Sequence, residues 1–260
     1  MHQPPAPEQT KFRWHRWLAA AFWGAVLAGS YAIYSGAIKI PERFNPWAPL
    51  NVTAEPNLLT PWKLSRARGD AAMCLAALEQ TGMLYDLLPD RQTGDGCGFD
   101  NAVRLRSAGI RFGAPLPLSC PMALSFAMWE RHALQPAAQA RFGQRVAALD
   151  NLGSYSCRNV NRGEGAAPRA PATGAGARSR HATANALDVS AFTLASGKRI
   201  SVQGQWQDED TTTQRSAEAL WLNDVHAGAC KYFKGVLGPD YNAAHRDHFH
   251  LETGGYGMCR

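Results

Sequence analysis

ALDVSAFTLASGKRISV (residues 186–202) is the stretch on which the reading of this 260-residue chain turns. Apolar and β-branched residues fill 186–194 and 199–202, and Ala195-Ser196-Gly197-Lys198 between them is a turn signal. The spacing predicts a β-hairpin. Immediately upstream the chain reads SRHATANALD (179–188), so the hairpin's first strand carries Asp188 close to its start and His181 lies seven positions before it. An odd separation would put the two on opposite faces of a continuous strand. The chain must therefore turn between them, which the small residues of 182–186 allow.

Near the C-terminus, HRDHFH (245–250) opens a short strand predicted over 247–252, where His248 and His250 share one face and Phe249 and Leu251 face the core. Four of the eight histidines fall in these two short segments. A catalytic zinc site needs three N/O ligands and an open fourth position. His181, Asp188 and His250 offer two imidazoles and a carboxylate, and we take them as the ligands of one mononuclear zinc site.

Working outward, residues 71–81 have helical propensity with Gly82 as terminator, and 91–101 read as a turn-rich loop around Cys97. A helix is predicted over 121–134, with Pro121 in its first turn and Met122, Leu124, Phe126 and Trp129 buried. Pro136 interrupts it before a second piece to Phe142. Residues 145–157 are predicted as a strand entering the site, and the Gly/Ala/Pro-rich run 161–179 as a flexible loop ahead of it. A last helix is expected over 217–237, tolerating Gly228 and stopped by Gly238-Pro239. The fold class is α+β, a small antiparallel sheet with flanking helices.

At the other end, Lys11, Arg13 and Arg16 precede an apolar run over 17–38, and Lys39 closes it. About 22 helical residues reach across a bilayer core, and the positive-inside rule leaves 1–16 in the cytoplasm. An uncleaved membrane anchor is the reading; for a cleaved signal peptide the apolar stretch is long, and no small-x-small site follows. Pro41, Pro46, Pro49, Pro56 and Pro61 make 39–65 a spacer outside the core, ahead of a domain over 66–260. Six scattered cysteines without a CxxC pair suit three disulfides in an oxidising compartment and speak against a thiolate cluster. Of the formal charge of +6, half sits in the first forty positions. The rest is too dispersed to indicate nucleic acid but suits a polyanionic partner.

The pattern S-x-H-(x)6-D followed by H-x-D-H-x-H resembles the D-Ala-D-Ala metallopeptidase and penicillin-insensitive murein endopeptidase group of zinc enzymes. SRHATANALDVSAF, GPDYNAAHRDHFHLE and the terminal Cys259-Arg260 are most similar to the bacterial extensin-like C-terminal domain family, over residues 74–260. The resemblance implies a zinc peptidase that cuts peptidoglycan stem or cross-link amides in the periplasm, held on the inner membrane by the N-terminal helix. It implies His181, Asp188 and His250 as zinc ligands and Asp247 as first choice of general base. His245 and His248 stand as alternatives or as stabilisers of the oxyanion. Tyr155 and Arg158 occupy the place of a Tyr-Arg strand end in that group and, with Ser179, are assigned to the substrate. Ala184 replaces a glycine common in the group. A wall-binding domain that keeps the fold without catalysis is the alternative reading.

Overall fold

The computed structural model describes residues 14–160, 177–207, 214–255 and 257–260. The expected cytoplasmic segment up to residue 13 and the glycine-rich loop over 161–176 lie outside the described residues. The chain divides into two compact units, one ending at Asn45 and one running Pro46–Arg260.

The first unit is built on α1 (Trp14–Tyr34). Its Arg16–Tyr34 stretch has a mean hydropathy of 1.3, enough by length and composition to cross a membrane. Membrane anchors and signal sequences share that character. Trp17, Phe22, Trp23, Leu27 and Tyr31 all stand exposed. The helix stops four residues before the expected end of the span, where Gly36 takes φ +75° and turns the chain.

The second unit begins inside the expected spacer. Leu50 and Val52 are buried in the core, and α2 (Thr60–Gly69) adds Leu64 and Ala67. Isolated apolar residues between prolines leave no period to read, yet each finds a pocket. The carbonyl of Val52 is hydrogen-bonded to His132 Nε2 at 2.8 Å. The spacer outside the core is therefore confined to the residues before Pro46.

α3 (Ala71–Glu79) follows, capped by Asp70, whose carboxylate accepts from the Met73 amide. Then come β1 (Leu84–Leu88), the small hairpin β2 (Arg91–Gly94) and β3 (Cys97–Phe99), β4 (Ala102–Ser107) and β5 (Arg111–Ser119). The residues read as a loop around Cys97 are thus a hairpin. α4 (Cys120–Trp129) continues through a π-helical turn, Glu130–Leu134, into α5 (Gln135–Phe142). Pro136 cannot donate to the carbonyl one turn back, and the widened turn absorbs that loss without breaking the rod.

β6 (Val146–Gly153), β7 (Ala186–Leu194), β8 (Arg199–Ser201), α6 (Val202–Gln205), α7 (Ala217–Ala229), β9 (Gly235–Leu237), β10 (Phe249–Glu252) and β11 (Met258–Cys259) complete the unit. The predicted hairpin is β7–β8. The predicted strand over 145–157 ends at Gly153, whose φ of +136° takes the chain out of the sheet. The predicted last helix ends at Ala229, and its final residues become β9. Gly228 is required rather than tolerated: a Cβ there would sit 2.7 Å from that of Ala133 in the π-helical turn.

The sheet is larger than expected and mixed. Its order is β1-β4-β5-β6-β7-β10-β9-β11, with β8 on β7. β5–β6 and β9–β11 run parallel. The helical crossover from α4 to α5 returns the chain in the same direction, as a parallel pair requires. Trp129, Phe126, Phe192, Trp221 and Phe249 are fully buried between sheet and helices. Each contributes about 2–3 kcal/mol by burial.

All six cysteines pair, as Cys74–Cys120, Cys97–Cys157 and Cys230–Cys259. The first ties α3 to α4. The second holds the β2–β3 hairpin against the segment leaving β6, beside the histidine-bearing turn.

Candidate metal centre

β7 and β10 are antiparallel neighbours with Asp188 directly opposite His250. Leu187, Val189, Phe249 and Leu251 point into the core, so the alternation leaves Asp188 and His250 together on the other face. His181 reaches them from a 3-10 turn, Arg180–Thr183, whose amide at His181 is capped by the Ser179 hydroxyl. Ala184 ends the turn with φ +53°, a left-handed conformation that glycine adopts more readily than alanine. This is the reversal that the odd spacing demanded.

The donor atoms converge. His181 Nε2 lies 3.3 Å from His250 Nδ1 and 3.2 Å from Asp188 Oδ2. His250 Nδ1 lies 2.8 Å from Asp188 Oδ1. All three residues are buried, and their ligand atoms lie within 4.8 Å of one another. Zinc bonds of about 2.0–2.1 Å at tetrahedral angles set donors about 3.4 Å apart, close to the spacing found. Each imidazole is also fixed from behind. His181 Nδ1 meets the Ser154 carbonyl at 3.2 Å, and His250 Nε2 meets Glu252 Oε2 at 3.2 Å. Those partners leave Nε2 of His181 and Nδ1 of His250 as the lone-pair atoms facing Asp188. The set fits a metal ion.

Electrostatics agree with a site that wants a cation. Burial alone would raise the Asp188 carboxyl, but hydrogen bonds and charge from His181 and His250 hold it well below the usual carboxylate range. Burial alone would lower His250, but its bonds to Asp188 and Glu252 carry it up to about 9. Without metal, a proton therefore sits where the metal would go. His245 is pushed down to about 4 by burial and by its neighbours His250 and His248, with Arg158 adding to the effect against Asp188. It is neutral at pH 7.

The remaining expected residues fall into two groups. His248 comes to the cluster, with Nε2 3.5 Å from Asp188 Oδ1 and Nδ1 2.8 Å from Asp247 Oδ1. Asp247, half exposed, stands behind His248. His245 packs against both, its ring 5.3 Å from His248 and 5.7 Å from His250, and Nδ1 is paired with Asn242. Arg158 is exposed at the margin, and its carbonyl accepts from the Ser179 amide. Tyr155 faces the β2–β3 hairpin, its hydroxyl paired with Thr93 and its ring 4.6 Å from that of Phe99.

Two residues escaped the sequence reading. Glu252 was signalled by the alternation of β10, since His250-Leu251-Glu252 sets two polar side chains on one face; the strand expected from residue 247 begins only at Phe249, and His248 lies in the bend ahead of it. Gly235 makes room for it: a Cβ there would lie 2.6 Å from Glu252 Cγ. Asn185 clamps the turn, its Oδ1 accepting from Ser119 at 2.7 Å and Thr253 at 3.1 Å. Its partners are remote in sequence, and no local pattern marks them.

Among the described residues a second group, His226, Cys230 and Cys259, has metal-ligand types at similar spacing. Its two sulfurs are joined to each other and offer no thiolate.

No curated protein and no solved structure matches the chain. The profile of one family, described as extensin-like protein C-terminus, matches residues 72–260 and so takes in every element from α3 onward, including both strands and the turn that carry the cluster. On that match the chain belongs to the extensin-like protein C-terminus family.

Proposed function

We propose that the second unit is a zinc-dependent peptidase that hydrolyses stem-peptide or cross-link amides of peptidoglycan. The observation that carries this reading is the convergence of His181 Nε2, Asp188 and His250 Nδ1, each imidazole oriented by its other nitrogen. Resemblance of the two motifs to the D-Ala-D-Ala metallopeptidase and murein endopeptidase group supplies the reaction class. When bound, zinc would hold a water in its open position and make it nucleophilic at neutral pH.

The chain's own residues supply the rest. His248 Nε2 lies 3.5 Å from Asp188 Oδ1, and Asp247, accepting from Nδ1, favours the tautomer that leaves the Nε2 lone pair to take a proton. Asp247 thus enters proton transfer through His248. His245, neutral at pH 7, stands beside them to donate to the developing oxyanion or to orient the attacking water. Arg158, at the margin, is placed to meet a substrate carboxylate or carbonyl.

Three disulfides suit an oxidising compartment, and α1 suits an anchor with the body on the periplasmic side of a bacterial inner membrane. Digestion of purified sacculi by the full-length protein, with mass spectrometry of the products, tests the reading. Release of shortened or uncrosslinked muropeptides is expected, and their masses identify the bond. Metal-loaded protein that binds sacculi and releases nothing would replace the peptidase with a wall-binding module.

A further inference from the structure

A cleft of about 860 Å³ opens between the end of α2, the β2–β3 hairpin and the starts of α3 and α4. Thr183 and Asn185, from the segment joining His181 to Asp188, form one of its walls. Its volume is in the range of sites that enclose a small molecule or short peptide. Arg68, in the last turn of α2, lines it, and Arg68 Nε is buried with no hydrogen-bond partner. Among the described residues no carboxylate lies within ion-pair distance of that guanidinium. A cation in a last helical turn complements the helix carbonyls. Arg68 is partly buried, and that burial lowers it to about 10. The guanidinium is only partly withdrawn from water, and with no carboxylate beside it an anionic ligand is the partner that suits it.

The other charges around the cleft narrow the ligand. The N-terminal residues Ala71 of α3 and Pro121 of α4 also line it, adding the positive ends of two helices. Against these, Asp90 and Asp100 face the same space as Arg91. Asp90 already accepts from the Asn101 amide, and the Arg91 guanidinium lies 5.7 Å over the Phe99 ring. Two carboxylates in the same cleft as Arg68 disfavour a multivalent anion such as phosphate and suit a single carboxylate on a peptide.

We propose that this cleft is a substrate subsite in which Arg68 binds a peptide carboxylate while the scissile bond lies at the candidate metal centre. The peptide nature of the ligand rests on the peptidase reading; the carboxylate subsite rests on Arg68 and the cleft. Arg68 lies ahead of the stretch matched by the family, so the subsite is drawn from this chain alone.

The test is calorimetric binding to the full-length protein in detergent with a chelator present, so that nothing is cleaved. The probes are a stem tetrapeptide with free carboxylates, the same peptide fully amidated, an L-residue tetrapeptide and inorganic phosphate. Amidation should weaken binding to the wild type at least tenfold, an arm that needs no variant. Arg68→Gln should bind the free peptide as weakly as the wild type binds the amide, with Arg68→Lys between. Equal binding of free and amidated peptide, no binding of either, or displacement by phosphate below the peptide's own concentration would overturn the subsite. An L-peptide that binds with the same Arg68 dependence supports the subsite while counting against peptidoglycan. Arg68-dependent binding with intact sacculi removes only the hydrolytic reading.

Discussion

His181–Asp188–His250 and His226–Cys230–Cys259 gather metal-ligand types at the same spacing, yet of the two only the first could hold an ion. In the first, a carboxylate and two imidazole nitrogens aim their lone pairs at one point, and Glu252 and the Ser154 carbonyl hold the rings from behind. In the second, the sulfurs spend their valence on each other, and His226 Nε2 meets the Arg260 carbonyl at 3.1 Å. One cluster is knit from paired strands. The other staples the end of α7 to β11. Residue type at a given distance is therefore insufficient; what distinguishes a site is lone pairs that have no partner except a cation.

The comparison can be broken most sharply by removing a ligand from each cluster. Asp188→Ala should lose bound metal and lower turnover at least a thousandfold, whereas His226→Ala should keep full metal content. Metal analysis and product release from sacculi read both, and equal metal loss in the two variants would erase the distinction. Next in size, His248→Ala and Asp247→Asn should keep metal while kcat falls about 10²–10⁴-fold, the usual worth of a positioned acid–base group. A fully active Asp247→Asn would remove that carboxylate from the mechanism.

The metal-free protein carries a pH signature that only the first cluster can give. His250 is raised to about 9 from an ordinary value of 6.5, so its stabilising contribution is complete below about pH 6.5 and is lost as pH rises through 9. Asp188 is lowered, so its contribution is present above its ordinary value of 3.8 and fades as pH falls. Thermal denaturation in chelator should show stability declining between about pH 6.5 and 9, by at most about 3 kcal/mol, and saturating zinc should remove most of that slope. Smallest, Glu252→Gln should weaken metal affinity about 10–100-fold by loosening His250, without abolishing binding; an equilibrium titration with a competing chelator measures it.

The part of the molecule nearest the cluster was the most legible. The apolar run over 186–194 marks one hairpin strand, alternation over 249–252 fixes which side chains of β10 share a face, and the odd spacing of His181 and Asp188 requires the turn that the 3-10 segment and Ala184 supply. Asp247 marks the limit of that reading. Sequence places it beside the last ligand, but only the fold shows His248 interposed between it and Asp188.

Farther out, legibility fails for physical reasons. β5 contains Pro115 and Pro117 and exposes much of its length, so neither period nor propensity announces it. Leu50 and Val52 are buried among partners remote in sequence, Gln80 on the Leu50 carbonyl and His132 on that of Val52, which no local pattern encodes. The end of α7 is set by packing, where Gly228 passes Ala133, and by the pairing of β9 with β10. Strands defined by their neighbours rather than by their own residues make up the unread half of the sheet.

The most direct test of the central claim is the metal content of the full-length protein after exposure to zinc and exhaustive dialysis, measured beside Asp188→Ala. One zinc per chain in the wild type and none in the variant is the predicted result. No zinc in the wild type, or the same amount in both, would contradict the account.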